Sequence, residues 1–292
     1  MASAVPRPCP ACQQPLRTGL QHWHLECTRC SHEGSSLLVD IDIHGDREVL
    51  DEALREEGLE VLRQRNFRTL ASQMKARIPS TPQRRPRLLD VGCAHGWFLE
   101  ATNAHFDVIG IEPDARVASA AAAKGFPVRK GFFPDVLEVD ERFDAIVFND
   151  VMEHIPDIHA AFQACARHLR PGGWVMVNAP ARTGALYGLA RVLARLGQPA
   201  SFERLWQKGF PSPHVHYLDD ASIRSLGARS DLQLARISTL PSMSVEGLYA
   251  RIRYDRSVSA CKAAALTVAL TAAAPLLRVL PADIKVWSLR AA

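Results

Sequence analysis

The sequence predicts an α/β protein in which helices cover a parallel sheet, with a small cysteine-rich module at the N-terminus. Short apolar runs alternate with helix-like segments between residues 87 and 180, a pattern typical of βαβ units. Four cysteines near the N-terminus form two Cys-x-x-Cys pairs. The 292 residues are enough for one large domain and one small module.

Composition and charge are those of an ordinary globular protein. Hydrophobic residues make up 47% of the chain and charged residues 23%, which excludes an extended disordered chain. A formal net charge of +4 permits nucleic acid or an anionic membrane as a partner but favours neither. The N-terminus lacks the apolar segment of a secretory signal. No apolar run reaches the roughly 20 residues of a membrane span. We therefore expect a cytoplasmic protein whose cysteines stay reduced.

Three parts follow one another along the chain. Residues 1–47 are rich in cysteines and turn residues. Residues 48–86 combine a helix pattern, acidic at its start and basic at its end, with a proline-containing linker. Residues 87–292 hold the alternating pattern, and we expect substrate or lid inserts in them at about 181–217 and 240–281.

Each predicted strand is a short apolar run bounded by turn residues, and each predicted helix has apolar residues three or four positions apart. Because strands and helices alternate, the strands should lie parallel in one sheet. The predicted strands are residues 87–91, 107–111, 143–148, 174–178, 232–238 and 283–289. The predicted helices are residues 48–78, 97–104, 115–124, 158–169, 185–196, 219–229 and 263–277.

The two cysteine pairs predict a metal site. Cys9 and Cys12 are separated from Cys27 and Cys30 by 14 residues, and each pair can place two thiolates on one ion. Four thiolates complete the tetrahedron that zinc prefers, as in a zinc ribbon. Because a module of about 45 residues has too little core to fold alone, bound metal would supply folding free energy. The alternative is a pair of redox-active dithiols.

The charge of this module argues against nucleic acid as its partner. Residues 1–47 contain four arginines and five acidic residues, and Trp23 is their only aromatic side chain for base stacking. This is a poor electrostatic footprint for RNA or DNA. A structural or substrate-contacting role is favoured.

A strand that runs into a glycine-bearing loop predicts a nucleoside site. The small residues Gly92, Ala94 and Gly96 let the backbone approach a ligand closely. Glu112 stands 20 residues after Gly92, at the end of the next strand. A carboxylate there can accept hydrogen bonds from both ribose hydroxyls. On these residues alone, NAD and other nucleoside cofactors remain open.

Four motifs in order resemble the class I S-adenosylmethionine-dependent methyltransferases. They are LLDVGCAHGWFLE from residue 88, VIGIEPD from 108, FDAIVFNDVMEHIPD from 143 and LRPGGWVMVNAP from 169. The resemblance implies a Rossmann-like, doubly wound, mostly parallel seven-stranded sheet with helices on both faces. It also implies S-adenosylmethionine as the cofactor. Ala94 departs from the family, which usually has glycine there, and its methyl group should narrow the loop without closing it.

The resemblance also implies which residues hold this cofactor. Phe132 and Phe133 fall where the family contacts adenine, although plain core packing explains them equally well. The acid that many members place near the adenine amine is absent here or shifted to Asp135. The implied residues are Asp90, Gly92, Cys93, Ala94 and Gly96 for the methionine part, Glu112 for the ribose, Pro113, Phe132 and Phe133 for the adenine, and Asn149, Asp150 and Val151 for the amino acid end.

The residues after the fourth strand favour a small-molecule acceptor that is methylated on oxygen. No Asn-Pro-Pro-Tyr-like motif, which would indicate amine methylation, follows that strand. No Pro-Cys, which would indicate methylation of a cytosine carbon, follows the fourth or fifth strand. The pair Glu153-His154 resembles that of ubiquinone-pathway O-methyltransferases. His154 is the candidate base, since neutral imidazole works near neutral pH; alternatively, it only hydrogen-bonds the loop that shapes the site.

Two further histidines are candidates for the chemistry. His214 and His216 flank one residue, within a segment where such enzymes place substrate-binding inserts. In extended backbone they share a face, so they could supply a base or metal ligands. The alternative is a helix-capping and packing segment, and two histidines without a carboxylate make an incomplete metal site.

Two other functions compete with small-molecule methylation. One is an RNA methyltransferase in which the cysteine module reads the substrate. The other is a nonenzymatic nucleoside-cofactor-binding protein, which the intact glycine-bearing loop disfavours.

The uncharged, alanine-rich stretch 263–277 predicts a helix too short to span a bilayer. We expect it to form a lid over the pocket of an apolar acceptor. The alternative is peripheral membrane contact through 251–280, with the basic flank on anionic lipid. No residue pattern indicates the oligomeric state. The flanking bases are Arg251, Arg253, Arg256, Lys262 and Arg278.

Overall fold

The backbone forms two sheets in a computed structural model of the chain, which describes residues 7–41, 52–81, 84–242, 247–253, 258–277 and 279–292. One sheet has four strands and the other has seven. In chain order the strands are β1 (Leu16–Thr18), β2 (His24–Cys27), β3 (Glu33–Ser35), β4 (Arg87–Val91), β5 (Asp107–Glu112), β6 (Val128–Lys130), β7 (Phe143–Asn149), β8 (Leu169–Pro180), β9 (His216–Tyr217), β10 (Leu232–Leu240) and β11 (Ile284–Ala291).

Helices connect most of these strands. A single turn of 3₁₀ helix, Met152–His154, follows β7. The helices are α1 (Glu52–Arg77), α2 (Trp97–Thr102), α3 (Ala115–Ala123), α4 (Ile158–His168), α5 (Ala185–Arg195), α6 (Ala200–Leu205), α7 (Asp220–Ala228), α8 (Leu248–Arg253) and α9 (Ala260–Leu277).

The seven-stranded sheet has the order β10-β11-β8-β7-β4-β5-β6. Strands β4 to β8 pair in parallel, and β11 is antiparallel to both of its neighbours. The chain winds outward from β4 through β5 and β6, then returns to the other side of β4 and winds outward through β7 and β8. The structure therefore confirms the predicted doubly wound, mostly parallel sheet.

Helices cover both faces of this sheet, and neighbouring residues of β4 point into different cores. Leu88 belongs to a buried cluster that includes Phe67 of α1 and Phe98 of α2. Leu89 belongs to a second cluster, which includes Phe162 of α4 and Leu226 of α7. A strand buried on both faces reads as a continuous apolar run, which is why the central strands could be predicted from sequence.

The fifth parallel strand differs from its predicted bounds. It was expected over 174–178, but β8 begins at Leu169 because that residue already pairs with Phe143. The pairing register then shifts before Ala145 meets Trp174. The Pro-Gly-Gly sequence therefore lies in an irregular part of β8, between the two stretches that pair with β7.

The cysteine module is joined to the methyltransferase-like part by a shared sheet. The four-stranded sheet has the order β1-β2-β3-β9, and β9 comes from the segment expected as an insert at 181–217. Cys9 and Leu16 of the module belong to the same buried cluster as Leu89 of the large sheet. A module this small buries little apolar surface by itself, so packing on a larger neighbour supplies the missing core.

Helix α9 lies at the surface. Of residues 260–272, whose side chains the structure describes, only Ala263 is buried. The described side chains of this stretch therefore face mostly outward, and its role as a lid stays a prediction. Among the described residues, no helix is both long enough and apolar enough to cross a membrane.

Candidate functional site

The carboxyl ends of β4, β5 and β7 meet at one edge of the large sheet. Strand β4 lies between the other two, so the residues that follow each strand come together there. Asp90 and Asn149 are hydrogen-bonded across this edge, with 3.3 Å between Asn149 Nδ2 and Asp90 Oδ1. The chain reverses its winding direction at this point, which is where open α/β sheets bind their ligands.

The loop between β4 and α2 is built from left-handed backbone. Gly92 has φ of 69° and Gly96 has φ of 78°. A Cβ atom at position 92 would lie 2.5 Å from Val151 Cγ2, so only glycine fits there. Ala94 has φ of 44°, a conformation that costs a non-glycine residue about 1 kcal/mol. The methyl group of Ala94 is therefore accommodated in the loop, as expected.

Glu112 fixes this loop from the end of β5. Its Oε2 accepts a hydrogen bond from the Ala94 N–H at 3.0 Å, and its Oε1 accepts one from the Asp114 N–H at 3.0 Å. Burial raises the pKa of this carboxyl, and these two hydrogen bonds oppose that shift. A carboxylate has about four acceptor positions, so two remain for a ligand such as a ribose. Pro113 follows directly and is half-buried.

Asp90 is a second buried acid at the same edge. Burial raises its pKa to about 8, and the nearby Glu112 charge adds to the effect. Asn149 Oδ1 is buried and has no hydrogen-bond partner among the described residues. Two buried carboxyls and an unpartnered amide oxygen suit a ligand that carries positive charge and N–H donors.

Asp150, the next residue after β7, is held by the helix that precedes the sheet. It adopts φ of 55°, and its carboxylate lies 3.3 Å from the Arg63 guanidinium of α1. The connecting helix therefore reaches the predicted cofactor site. No sequence signal identified Arg63, because its partner is 87 residues away in the chain.

Two predicted contact residues turn their side chains into the core. The Cys93 thiol packs so close to Gly110 that a Cβ atom there would lie 2.5 Å from its Sγ. The Phe133 ring packs against Phe148, with 5.5 Å between ring centroids. Phe132, in contrast, is 46% exposed. The side chains of Cys93 and Phe133 therefore pack against the core, and their contact with the cofactor stays a prediction.

A second cluster lies next to this edge. Ligand atoms of Glu153, His154 and His214 are all within 4.8 Å of one another. The His154 and His214 rings are 4.8 Å apart at their centroids, with an interplanar angle of 68°. The structure thus brings together two of the three predicted histidines and adds Glu153, a carboxylate that the sequence analysis did not assign to the site.

Hydrogen bonds fix both rings of the pair. His154 Nδ1 lies 3.0 Å from the Pro213 carbonyl oxygen, so Nδ1–H donates and the basic nitrogen is Nε2. His214 Nε2 lies 2.9 Å from the side-chain amide of Gln207. Burial holds the pKa of His214 well below its usual value, and the neighbouring His154 adds to this. His214 is therefore neutral.

Glu153 is buried without a partner for either oxygen among the described residues. Burial raises its pKa well above the ordinary value, and the charge of Asp150 raises it further. An unpaired buried carboxyl favours its neutral form, unless a cation or a hydrogen-bond donor enters beside it.

His216 lies apart from this cluster. Its Nε2 donates to the Ile155 carbonyl oxygen at 3.0 Å, and its Nδ1 lies 3.2 Å from His32 Nε2. Both ring nitrogens are therefore engaged, and burial lowers its pKa to about 4. His216 therefore contacts His32 and the Ile155 carbonyl, whereas His214 contacts His154, and a joint role of His214 and His216 stays a prediction.

The four cysteines of the module converge on one point. Cys9 Sγ lies 3.5 Å from Cys30 Sγ, and Cys12 Sγ lies 3.4 Å from Cys27 Sγ. All four sulfur atoms are within 4.8 Å of one another. Zinc–sulfur bonds of about 2.3 Å in a tetrahedron place sulfurs roughly 3.8 Å apart, so the cluster fits this ion.

The four thiols differ in acidity. The hydrogen bond to Cys9 and burial raise the pKa of Cys30, and burial raises the pKa of Cys12. Burial raises the pKa of Cys27, but N–H groups of Cys30 and Arg29 and the neighbouring thiols outweigh it and lower the pKa to about 7. Backbone N–H groups directed at sulfur stabilise a thiolate, the form that binds metal.

Comparisons with known proteins add the family to this geometry. A methyltransferase domain family model matches residues 48–237. The ubiquinone biosynthesis O-methyltransferase of Bradyrhizobium sp. (strain ORS 278) is 35% identical over 112 residues, 36% of this chain and 44% of that protein. The mitochondrial ubiquinone biosynthesis O-methyltransferase of Homo sapiens is 33% identical over 152 residues, 47% of this chain and 40% of that protein. The chain spans less than half the length of both relatives.

A solved structure gives the same fold. The magnesium protoporphyrin IX methyltransferase of Synechocystis PCC 6803, solved with bound SAH, is similar with a TM-score of 0.50. It is 15% identical, and the match covers 86% of this chain and 91% of that one. Identity this low shows the fold alone. The family model, which matches well over half of the chain, decides the relationship: the chain belongs to the methyltransferase domain family.

Proposed function

We propose that the chain is an S-adenosylmethionine-dependent methyltransferase that transfers a methyl group to an oxygen of a small molecule. The observation that supports this most directly is the pair of sites at one sheet edge. A loop with two buried acids, suited to a cationic nucleoside, lies next to a histidine pair suited to accept a proton. The relatives named as ubiquinone biosynthesis O-methyltransferases support an oxygen acceptor.

The proposed cofactor fits the residues of the glycine-bearing loop. S-adenosylmethionine, when bound, supplies a methyl group on a positively charged sulfur. The Gly92–Gly96 backbone would lie against it, Glu112 would accept hydrogen bonds from the ribose, and Phe132 would lie along the adenine. Asp90 and the unpartnered Asn149 oxygen would face its charged amino acid end, which relieves the cost of burying them.

His154 is the proposed base for the acceptor hydroxyl. Its Nδ1–H is held by Pro213, which leaves Nε2 as the nitrogen that takes a proton. Ring packing against His214 limits its orientation. A positioned base of this kind contributes about 10²–10⁴ to the rate.

One observation favours a second way of activating the acceptor. Glu153, His154 and His214 offer three ligand atoms within 4.8 Å of one another, a set that could hold a divalent cation. In that case the ion would lower the pKa of the acceptor hydroxyl, and His154 would be a ligand. Stimulation of transfer by added Mg²⁺ or Mn²⁺ would favour this role over the base.

The proposal predicts the result of incubating the protein with methyl-labelled S-adenosylmethionine. Label should enter the small-molecule fraction of a cell extract and a simple catechol used as a probe. His154→Ala should slow transfer by about 10² or more while cofactor affinity stays unchanged. His159→Ala, on α4, is the matched control and should behave as the wild type.

Two outcomes would contradict this assignment. Label found in the RNA fraction alone would support the competing RNA methyltransferase. Binding of S-adenosylmethionine without any transfer would support a nonenzymatic cofactor-binding protein.

We also propose that the four cysteines bind one structural zinc ion. The support is the convergence of the four sulfur atoms on one point. Elemental analysis of protein purified without chelator should give one zinc per chain. Cys27→Ser should lose the metal, whereas Cys261→Ser, at an exposed cysteine of α9, should keep it. Absence of stoichiometric metal in the wild type would refute the site.

Peripheral membrane contact through 251–280 is a further proposal. Val268 is 71% exposed on α9 and Leu266 is 39% exposed, and Lys262 is exposed beside them. Arg256 and Arg278, two of the bases expected to meet lipid, lie outside the described residues. An exposed apolar helix with a basic flank suits an anionic lipid surface.

A further inference from the structure

Strand β3 directly connects the cysteine cluster to the segment that bears His214. It begins three residues after Cys30 and pairs antiparallel with β9, with Gly34 opposite His216. The Ser35 N–H donates to the Val215 carbonyl oxygen at 3.0 Å. The Ser35 hydroxyl donates to the His214 carbonyl oxygen at 3.1 Å. The backbone around His214 is therefore hydrogen-bonded to one short strand of the module.

The other side of the same segment is bound to the Glu153-His154 turn. The Val215 N–H donates to the Glu153 carbonyl oxygen at 2.8 Å. The Pro213 carbonyl oxygen accepts from His154 Nδ1 at 3.0 Å. Residues 213–215 are thus hydrogen-bonded to the module on one side and to the Glu153-His154 turn on the other.

The Glu33 side chain anchors the rest of the insert to the module. It is 1% exposed, and it accepts hydrogen bonds from His24 Nε2 at 3.0 Å and Arg182 Nε at 2.6 Å. Arg191 and the Tyr187 hydroxyl, both on α5, also donate to it. One buried carboxylate therefore joins four donors from two parts of the chain.

Tyr187 extends this contact to the histidine segment. Its ring stacks on Tyr217, with 4.0 Å between centroids and an interplanar angle of 22°. Tyr217 follows His216 and pairs with Glu33 in the sheet. The Glu33 carboxylate thus holds the segment around Tyr217 through side-chain contacts, and the pairing of β3 with β9 holds it through the backbone.

The chemistry of this cluster excludes a metal site. His24, Glu26 and Glu33 have ligand atoms within 4.8 Å of one another. However, Arg191 contacts both carboxylates and Arg182 contacts Glu33, so a cation would meet two guanidinium groups. The carboxylates are already paired with guanidinium groups, so the cluster serves to join the module to the insert.

From these contacts we infer that the cysteine module positions the acceptor site, with Ser35 and Glu33 as positioning residues that set His214 relative to His154. The inference rests on the proposed function only in identifying the histidine pair as the acceptor site. The cofactor loop is built from β4, β5 and β7 and makes none of the β3 contacts described above. Loosening β3 should therefore disturb the acceptor site and spare cofactor binding.

Hydrogen–deuterium exchange of the full-length protein tests the inference without any acceptor. Ser35→Ala removes the hydroxyl that holds the His214 carbonyl. Exchange of the amides in residues 206–218 should become about tenfold faster or more, because local opening becomes easier. The dissociation constant for S-adenosylmethionine should change by less than about threefold. Thr18→Ala, at an exposed position of β1 in the same module, is the matched control and should leave both unchanged.

Kinetics with the catechol probe give a readout that general destabilisation would not give. Ser35→Ala should lower kcat about tenfold and leave KM for S-adenosylmethionine unchanged, because only the acceptor side is displaced. Ser35→Thr retains the hydroxyl and should restore kcat. Glu33→Gln removes the charge that binds Arg182 and Arg191. It should likewise lower kcat and leave KM for S-adenosylmethionine unchanged.

The outcomes separate this inference from the proposed function. Unchanged exchange at 206–218 in both Ser35→Ala and Glu33→Gln overturns it. A parallel loss of cofactor affinity also overturns it, because the module would then support the whole edge of the sheet. If exchange rises as expected but the wild type methylates no catechol, the acceptor assignment fails and the positioning role stands.

Discussion

The buried carboxylate of Glu112 has both a structural role and a proposed binding role. It accepts hydrogen bonds from two backbone N–H groups and so shapes the loop, and it keeps acceptor positions for the ribose. Glu112→Ala should weaken S-adenosylmethionine binding by about 2 kcal/mol or more, measured by titration calorimetry. Asp107→Ala, at the exposed opposite end of β5, should have no effect. Equal affinities of Glu112→Ala and wild type would mean that the cofactor lies elsewhere.

Asp90 predicts how cofactor binding depends on pH. Burial raises its pKa to about 8, so below that pH the folded protein without cofactor holds this carboxyl protonated. A cationic cofactor favours the carboxylate, so binding releases a proton. Affinity should therefore rise with pH, by at most about tenfold per pH unit, and level off above a pH of about 8.

Calorimetry in two buffers of different protonation enthalpy measures this proton release directly. Asp90→Asn is the control, and it should remove the pH dependence together with the released proton. A dissociation constant that stays flat below the pKa in the wild type would show that Asp90 does not titrate on binding.

At the scale of single residues, local motifs predicted the conformation of the glycine-bearing loop well and side-chain direction poorly. Gly92 and Glu112 could be predicted because a strand, a loop and the next strand follow one another in the chain. The inward turn of Cys93 could not, because it depends on the space that Gly110 leaves on the neighbouring strand. Arg63 and Glu33 have partners from distant segments, and no spacing in the sequence indicates such a pair.

At the scale of elements, the proposed membrane contact depends on the exposed apolar helix α9. The protein should pellet with vesicles that contain anionic phospholipid at low salt, and high salt should release it because screening weakens the basic flank. Val268→Asp on α9 should reduce pelleting. Val139→Asp, at a residue 91% exposed outside α9, should not. Equal losses in both variants, or no pelleting of the wild type, would leave α9 without this role.

Elements with a clear hydrophobic pattern were predicted close to their observed bounds. Strand β4 was expected over 87–91 and spans Arg87–Val91, because burial on both faces favours apolar residues, here Leu88, Leu89 and Val91. Strand β9 was not predicted, since its two residues carry no period and its partner lies in the module. A short strand of this kind exists only through tertiary pairing.

For the whole molecule, the sequence predicted the order of the parts but not their connection. The parallel pairing followed from alternating strands and helices. The doubly wound, seven-stranded arrangement was what the resemblance of the four motifs implied. No residue pattern indicated how the module contacts residues 87–292. The structure joins it to them through β9, the Glu33 cluster and a shared core, because so few residues cannot bury enough surface alone.

The pairing of β3 with β9 also fixes an order of events during synthesis. Ser35 and His214 are 179 residues apart. At about 5–20 residues per second, the module leaves the ribosome on the order of ten seconds before the strand that completes its sheet. During that interval all four cysteines have been synthesised, and β3 can pair with β2 on one edge but lacks β9 on the other. The histidine pair assembles when β9 arrives, so the last contact of the N-terminal module and the acceptor site form in the same step.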